Sequence, residues 1–244
     1  MDYALLLSGG NGTRTGSDIP KQYVKPEDSP MMVTFALRTL LMCSRIDAVY
    51  VVAESKWRSL ILADCNRSGF STDKIKGFAD PGINRQASIL NGMEEIINRV
   101  SGAAVKGIGD DDTILVHDAA RPYLKELLIH SCYDALCGHD GVMPVIPVKD
   151  TVYMSGDGRS VSGLLDRQRI FAGQSPELFV FKPYHQANIA LLPDRIQRIN
   201  GASEPAVMAG LDLIMIPGDE DNVKVTTAAD MEKFMAAATE HKGE

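Results

Sequence analysis

The chain has 244 residues, 45% hydrophobic and 23% charged, an ordinary globular balance that excludes wholesale disorder and a fibrous repeat. Lys and Arg number 25 against 32 Asp and Glu, a formal net charge of −7. That charge argues against a nucleic-acid or anionic-membrane binder, since either would carry a basic face. No repeat, low-complexity linker or shift in composition divides the chain, and its length suits one α/β domain over residues 1–244. Cys43, Cys65, Cys132 and Cys137 form no CxxC pair, so no disulfide framework is expected and a reducing cytoplasm is the simpler setting.

The apolar run Tyr3–Leu7 follows no basic segment and stops at Ser8-Gly9-Gly10. It is too short for a signal core or a membrane span and predicts a buried first strand. Gly9-Gly10-Asn11-Gly12-Thr13-Arg14 comes next, with Pro20-Lys21-Gln22 close behind. Glycines let backbone N–H groups approach an anion closely, and Arg14 and Lys21 add positive charge. A dinucleotide fingerprint lacks its third glycine at Thr15, and a Walker A loop lacks its Gly-Lys-Ser/Thr. An ordinary glycine turn with two solvated cations is the plain alternative; the strand, the glycines, Arg14 and Pro20-Lys21 in combination favour a nucleotide triphosphate.

Further along, helices are predicted at Met32–Met42, Trp57–Asn66, Arg85–Val100 (capped by Asn84) and Lys125–Leu136, between strands at Ala48–Ala53, Thr113–Val116, Val142–Val148 and Leu211–Ile216. Such alternation implies βαβ units and a mostly parallel sheet flanked by helices. Thr227 and Asp230 form a capping box before a last helix at Met231–Ala238. Residues 150–174 break the alternation: Gly156-Asp157-Gly158 reads as a turn between two β-prone arms. Val152, Tyr153, Val161, Leu164 and Leu165 in that segment favour a projecting hairpin packed on a second subunit over a solvated loop.

Strand Thr113–Val116 runs into His117-Asp118-Ala119-Ala120-Arg121-Pro122. Ligands of open α/β sheets bind outside the carboxyl ends of the strands, and Mg²⁺ needs few carboxylates beside phosphate oxygens and water, so Asp118 is a candidate ligand. Its plain alternative is a helix cap paired with Arg121. Asp221 is a second candidate, in a segment where another strand is expected to lead into the capped helix, and Lys224 there could face a phosphate. Cys132 and His130 lie in a helical setting and read as packing residues, while His139, His185 and His241 show no metal-ligand spacing. A glycosyltransferase would carry an Asp-x-Asp motif at a strand's end; Asp110-Asp111-Asp112 precedes its strand. A nucleotide sensor without catalysis is a third class.

The ordered blocks Gly9-Gly10-x-Gly12-x-Arg14, Pro20-Lys21-Gln22, Arg85-x-x-Ser88, His117–Pro122, Asp150-Thr151, Gln174-Ser175-Pro176 and Asn222-x-Lys224-Val225-Thr226 resemble the cytidylyltransferases of the 2-C-methyl-D-erythritol 4-phosphate type, with their ribitol-5-phosphate relatives. The resemblance spans nearly the whole chain. It implies a Rossmann-like nucleotidyltransferase fold with a projecting β-arm, working as a homodimer that attaches CMP from CTP to an alditol phosphate and releases pyrophosphate. By motif, Arg14, Lys21 and Lys224 would act on the phosphates and carry catalysis. Gly9, Gly10, Gly12, Gly82, Arg85, Ser88, Asp118, Ala119 and Arg121 would hold the nucleotide. Asp118 and Asp221 would share Mg²⁺, and Thr151 and Arg167 would bind the acceptor presented to the neighbouring subunit. Two departures stand out: Asp80-Pro81-Gly82 has one glycine where the family often has two, and Asn200–Ala206 replaces a Thr-Asp-Glu-Ala-type segment. The resemblance makes methylerythritol phosphate the first acceptor; Leu7–Gly10 and Gly173–Pro176 lean toward the ribitol-type members and make ribitol phosphate the alternative.

Overall fold

The computed structural model describes residues 1–10, 19–101 and 107–240. In chain order its elements are β1 (Asp2–Leu7), α1 (Met32–Met42), β2 (Ala48–Val52), α2 (Ser55–Arg67), β3 (Ile75–Ala79), α3 (Arg85–Ser101), β4 (Thr113–Asp118), α4 (Glu126–Ala135), β5 (Gly141–Pro147), β6 (Val152–Met154), β7 (Gly163–Leu165), β8 (Phe171–Gly173), β9 (Glu177–Val180), α5 (Phe181–Ile189), α6 (Glu204–Met208), β10 (Leu213–Pro217) and α7 (Ala228–Glu240).

Both faces of β1 are apolar because both are covered. Tyr3 and Leu5 share a core with Ile89, Met93 and Ile97 of α3 and with Phe181 and Tyr184 of α5. On the other face, Ala4 and Leu6 pack with Val33, Leu37 and Leu40 of α1 and Leu128 and Ile129 of α4. A strand buried on both sides reads as a continuous apolar run instead of an alternating one. The eight-stranded sheet has the order β10-β5-β9-β4-β1-β2-β3, with β8 also on β5. β1 pairs in parallel with β2 and β4, so the strand order reverses at β1 and opens a crevice at the carboxyl ends there.

Sequence and structure differ in several places: β3, α5 and α6 have no predicted counterpart, and three further differences bear on the site. First, β9 was not expected, and it runs antiparallel to both β4 and β5; its four residues are too few to show a period. Second, residues 219–226 form no strand. Val225 N–H donates to the Ala120 carbonyl at 2.8 Å, which docks this segment as a loop on the exit of β4. Third, the arm is shorter than 150–174, since β8 returns to the main sheet on β5. Local signals hold well: Asn84 Oδ1 accepts from Ala87 N–H at 2.8 Å, and Thr227 and Asp230 cap each other at 3.2 and 2.8 Å.

Arm strands β6 and β7 pair antiparallel as a sheet of their own. The turn between them is built by Asp157, whose carboxylate accepts from the N–H groups of Arg159 and Ser160 at 2.8 and 2.7 Å, with Gly158 at φ 70°. Tyr153, Val161 and Leu164 are each at least 60% exposed. Among the described residues, no helix is long and apolar enough to cross a membrane.

Candidate active site

A cavity of about 570 Å³ opens at the carboxyl ends of β1 to β4. Gly9 and Gly10 line it after β1, Glu54 after β2, Pro81 to Arg85 and Ser88 after β3, and Asp118 and Ala120 at the end of β4, with Lys21, Gln22 and Lys224 closing its sides.

The glycine loop and the turn after β3 touch each other. A Cβ on Gly9 would fall 2.6 Å from Pro81, and one on Gly82 would fall 2.5 Å from the Cβ of Ala87. No side chain fits at either place, so backbone is what faces the cavity. Gly82 N–H donates to Ser88 Oγ at 3.0 Å, and that hydroxyl donates to the Asn84 carbonyl at 2.8 Å. The single glycine of Asp80-Pro81-Gly82 therefore suffices for a close turn. Gln22 holds the other side: its Nε2 donates to the carbonyls of Ser8 and Gly10, both at 2.6 Å, while the Tyr23 hydroxyl donates to Ser8 at 2.7 Å. This clamp was not read from sequence, although Gln22 stands inside the Pro-Lys-Gln motif that flagged it.

Cations surround one carboxylate. Asp118 accepts Arg85 Nε on Oδ1 at 3.0 Å and Lys224 Nζ on Oδ2 at 2.7 Å. Burial alone would raise its pKa, but Arg85 and Lys224 outweigh that and hold the carboxyl well below the usual range. Arg121 is not its ion-pair partner: its side chain turns away and donates to the Asn222 carbonyl at 2.5 Å. Its own N–H closes a turn on the Asp118 carbonyl at 2.9 Å. Lys21 Nζ donates to the Val225 carbonyl at 2.5 Å, at the same rim as Lys224.

A buried relay sets this rim. Asp118 N–H donates to Ser175 Oγ at 3.1 Å, and that hydroxyl lies 3.2 Å from His117 Nδ1. His117 Nε2 is 3.1 Å from the Arg121 carbonyl; a carbonyl only accepts, so Nε2 carries the proton. Burial keeps His117 neutral, with its pKa down at about 4. Asn222 Nδ2 donates to the Ser175 carbonyl at 2.7 Å. Three motif blocks far apart in sequence thus lock together through one serine, one histidine and one asparagine.

Other expected site residues lie elsewhere. Gly12 and Arg14 fall outside the described residues. Ala119 is fully buried and does not line the cavity; Ala120 does. Asp221 is also off the lining, its carboxylate 2.7 Å from Lys125 Nζ. Thr151 and Arg167 are exposed at the base of the arm, where Arg167 donates to the Lys149 carbonyl at 2.8 Å, and neither lines this cavity. The acidic triplet sits at the amino end of β4, opposite the cavity: Asp112 takes the chain's N-terminal ammonium, and Asp110 pairs with Lys182. Cys132 is buried and His130 pairs with Glu126, and neither Cys132 nor His130 lines the cavity.

No signal in the sequence marks Glu177, the first residue of β9. Its carboxylate stands 3.7 Å from Arg85, behind the cavity wall, and burial raises its pKa to about 7 against the pull of Arg85. Arg85 thus lies between two acids, and its Nη1 is buried without a partner.

Asp118→Asn is expected to cost about 2 kcal/mol at pH 7, the range for a broken buried pair discounted for the solvent access of Lys224. Because the folded pKa is depressed, that stabilisation is present above the unfolded value near 4 and is lost as pH falls through the folded one. Urea unfolding should show the wild-type advantage at neutral pH and its shrinkage below about pH 4. Equal stabilities at pH 7 would mean that Asp118 does not hold these cations.

A crevice at a strand-order reversal, walled by glycine backbone and by cations around one carboxylate, is the arrangement that nucleotide-binding α/β proteins use for phosphate. The chain matches the family described as IspD: 2-C-methyl-D-erythritol 4-phosphate cytidylyltransferase over residues 3–239, and it belongs to that family. It is 30% identical over 231 residues to the bifunctional enzyme IspD/IspF of Granulibacter bethesdensis, an alignment covering 93% of this chain and 54% of that protein. The chain thus spans about half the length of that relative. Its fold is similar to the 4-diphosphocytidyl-2C-methyl-D-erythritol synthase of Anaerococcus prevotii, with a TM-score of 0.76, 19% identity, and 98% and 96% of the two chains covered. The 2-C-methyl-D-erythritol 4-phosphate cytidylyltransferase of Francisella tularensis matches at 0.75, with 22% identity and 96% and 97% covered. Those likenesses establish the fold expected from sequence, a mostly parallel sheet flanked by helices.

Proposed function

We propose that this chain transfers CMP from CTP to 2-C-methyl-D-erythritol 4-phosphate and releases pyrophosphate. The observation that carries the reading is the convergence of Lys21, Arg85, Asp118 and Lys224, from four separate motif blocks, on one cavity, in a chain matching the family over residues 3–239. An oxygen of the acceptor phosphate attacks the α-phosphorus of CTP, the bond to the β-phosphate breaks, and its electrons leave with pyrophosphate. Such a transfer needs positioning and charge neutralisation, and no covalent protein nucleophile. Lys21 and Lys224 neutralise the triphosphate with Arg14, the glycine backbone seats it, and Gly82 and Ser88 set the turn against which the base lies.

Asp118 fits Mg²⁺ as a single carboxylate beside phosphate oxygens and water, and Lys224 would pass from Asp118 to phosphate when the site fills. Asp221 fits less well, since it faces Lys125. Bound Mg²⁺ would supply charge neutralisation on the triphosphate. Thr151 and Arg167 serve the acceptor phosphate of the neighbouring subunit in a homodimer joined through the arms, a reading supported by the arm's exposed Tyr153, Val161 and Leu164. Four free cysteines support a reducing cytoplasmic setting.

The test supplies CTP and Mg²⁺ with methylerythritol phosphate, with ribitol 5-phosphate, or with no acceptor, and measures pyrophosphate. Methylerythritol phosphate should give the fastest release. Release with ribitol phosphate alone would replace the acceptor, and CTP binding without release under any condition would make the chain a sensor.

A further inference from the structure

The end of α1 and the first turns of α4 bring together three metal-binding side chains that the nucleotide cavity does not use. Cys43 follows α1 and is buried. Glu126 and His130 stand four residues apart on α4, hence on one helix face. The Cys43 sulfur, a carboxylate oxygen of Glu126 and a ring nitrogen of His130 all lie within 4.8 Å of one another, with His130 Nε2 3.3 Å from Glu126 Oε1. Tetrahedral zinc with bonds of ~2.0–2.3 Å places its ligand atoms about 3.3–3.8 Å apart. One edge therefore already has its bound length, and the other two need only small side-chain shifts.

The frame around them is firm. Cys43 N–H donates to Thr39 at 3.0 Å, its carbonyl accepts Lys74 Nζ at 2.7 Å, and Thr39 Oγ1 ties α1 to the Leu124 carbonyl, just before α4, at 2.9 Å. Sulfur lies at the bottom, while the Glu126 and His130 side chains are 45% and 35% exposed and leave an entry path. Thiolate with imidazole selects zinc-class ions over Mg²⁺. We propose that Cys43, Glu126 and His130 bind one zinc-class divalent cation, with water in the fourth position, clipping α1 to α4.

The test uses the full chain with Cys137→Ser as background, to remove the exposed thiol, and with excess Mg²⁺. Titration with Co²⁺ should bind one equivalent and give the intense visible bands of tetrahedral cobalt with a sulfur-to-cobalt charge-transfer band, both abolished by Zn²⁺. Cys43→Ser should lose the charge-transfer band. His130→Ala and Glu126→Gln should each weaken Co²⁺ by at least about tenfold, a loss that removing even an outer partner of a ligand can reach. Should Cys43→Ser fail to fold by circular dichroism, the two exposed variants decide. Weak octahedral absorption without the sulfur band, or unchanged affinity in His130→Ala, would overturn the site and leave a surface Glu–His pair.

Discussion

Lys21→Ala is expected to lower kcat by about a hundredfold or more while weakening CTP binding far less, the signature of a charge that acts mainly in the transition state. The structure sharpens the reason. Lys21 opens a short 3-10 turn whose next two residues, Gln22 and Tyr23, clamp it to the Ser8–Gly10 backbone, and its ammonium is held on the Val225 carbonyl. A cation held this way reorganises little when charge develops on the phosphates. Because Gln22 and Tyr23 do the structural work, the variant should fold, and thermal unfolding within a few degrees of wild type would confirm it. Arg14→Ala should lose turnover on the same scale. Steady-state kinetics in which both variants stay within a few fold of wild type would remove these cations from the mechanism.

Mixing two inactive variants should restore activity. Lys224→Ala damages the nucleotide side, since Lys224 lines the cavity beside Asp118. Arg167→Ala is expected to damage the acceptor side, since Arg167 sits on the arm away from its own cavity and a guanidinium fork suits a phosphate through two hydrogen bonds. If the arms cross a two-fold interface, each site takes its nucleotide residues from one subunit and its acceptor residues from the other. A mixed dimer then contains one site free of both changes. Equal mixing gives about half mixed dimers, so about a quarter of wild-type activity should return. Native mass spectrometry must show the mixed dimers in the same sample. An inactive mixture that contains them would mean that each acceptor site is built within one chain.

Much of this site is legible in the sequence, and the legible parts share a cause. The buried run at Tyr3–Leu7 announces a central strand because both its faces are apolar, a property of five consecutive residues. Asn84 and the Thr227–Asp230 pair announce helix starts because a cap needs partners only three residues away. The glycine loop, Lys21, Arg85, Asp118 and Lys224 stand in compact blocks whose chemistry is visible residue by residue. Only the tertiary structure decided how those blocks pair. Asp118 takes Arg85 and Lys224, 33 and 106 positions away, and leaves its neighbour Arg121 to Asn222. Glu177 becomes an acid behind Arg85 because a four-residue antiparallel strand, too short to show a period, carries it there. Caps and strands depend on neighbours in the chain, whereas charge pairing depends on distance in space and on burial, and those exist only after the sheet has formed.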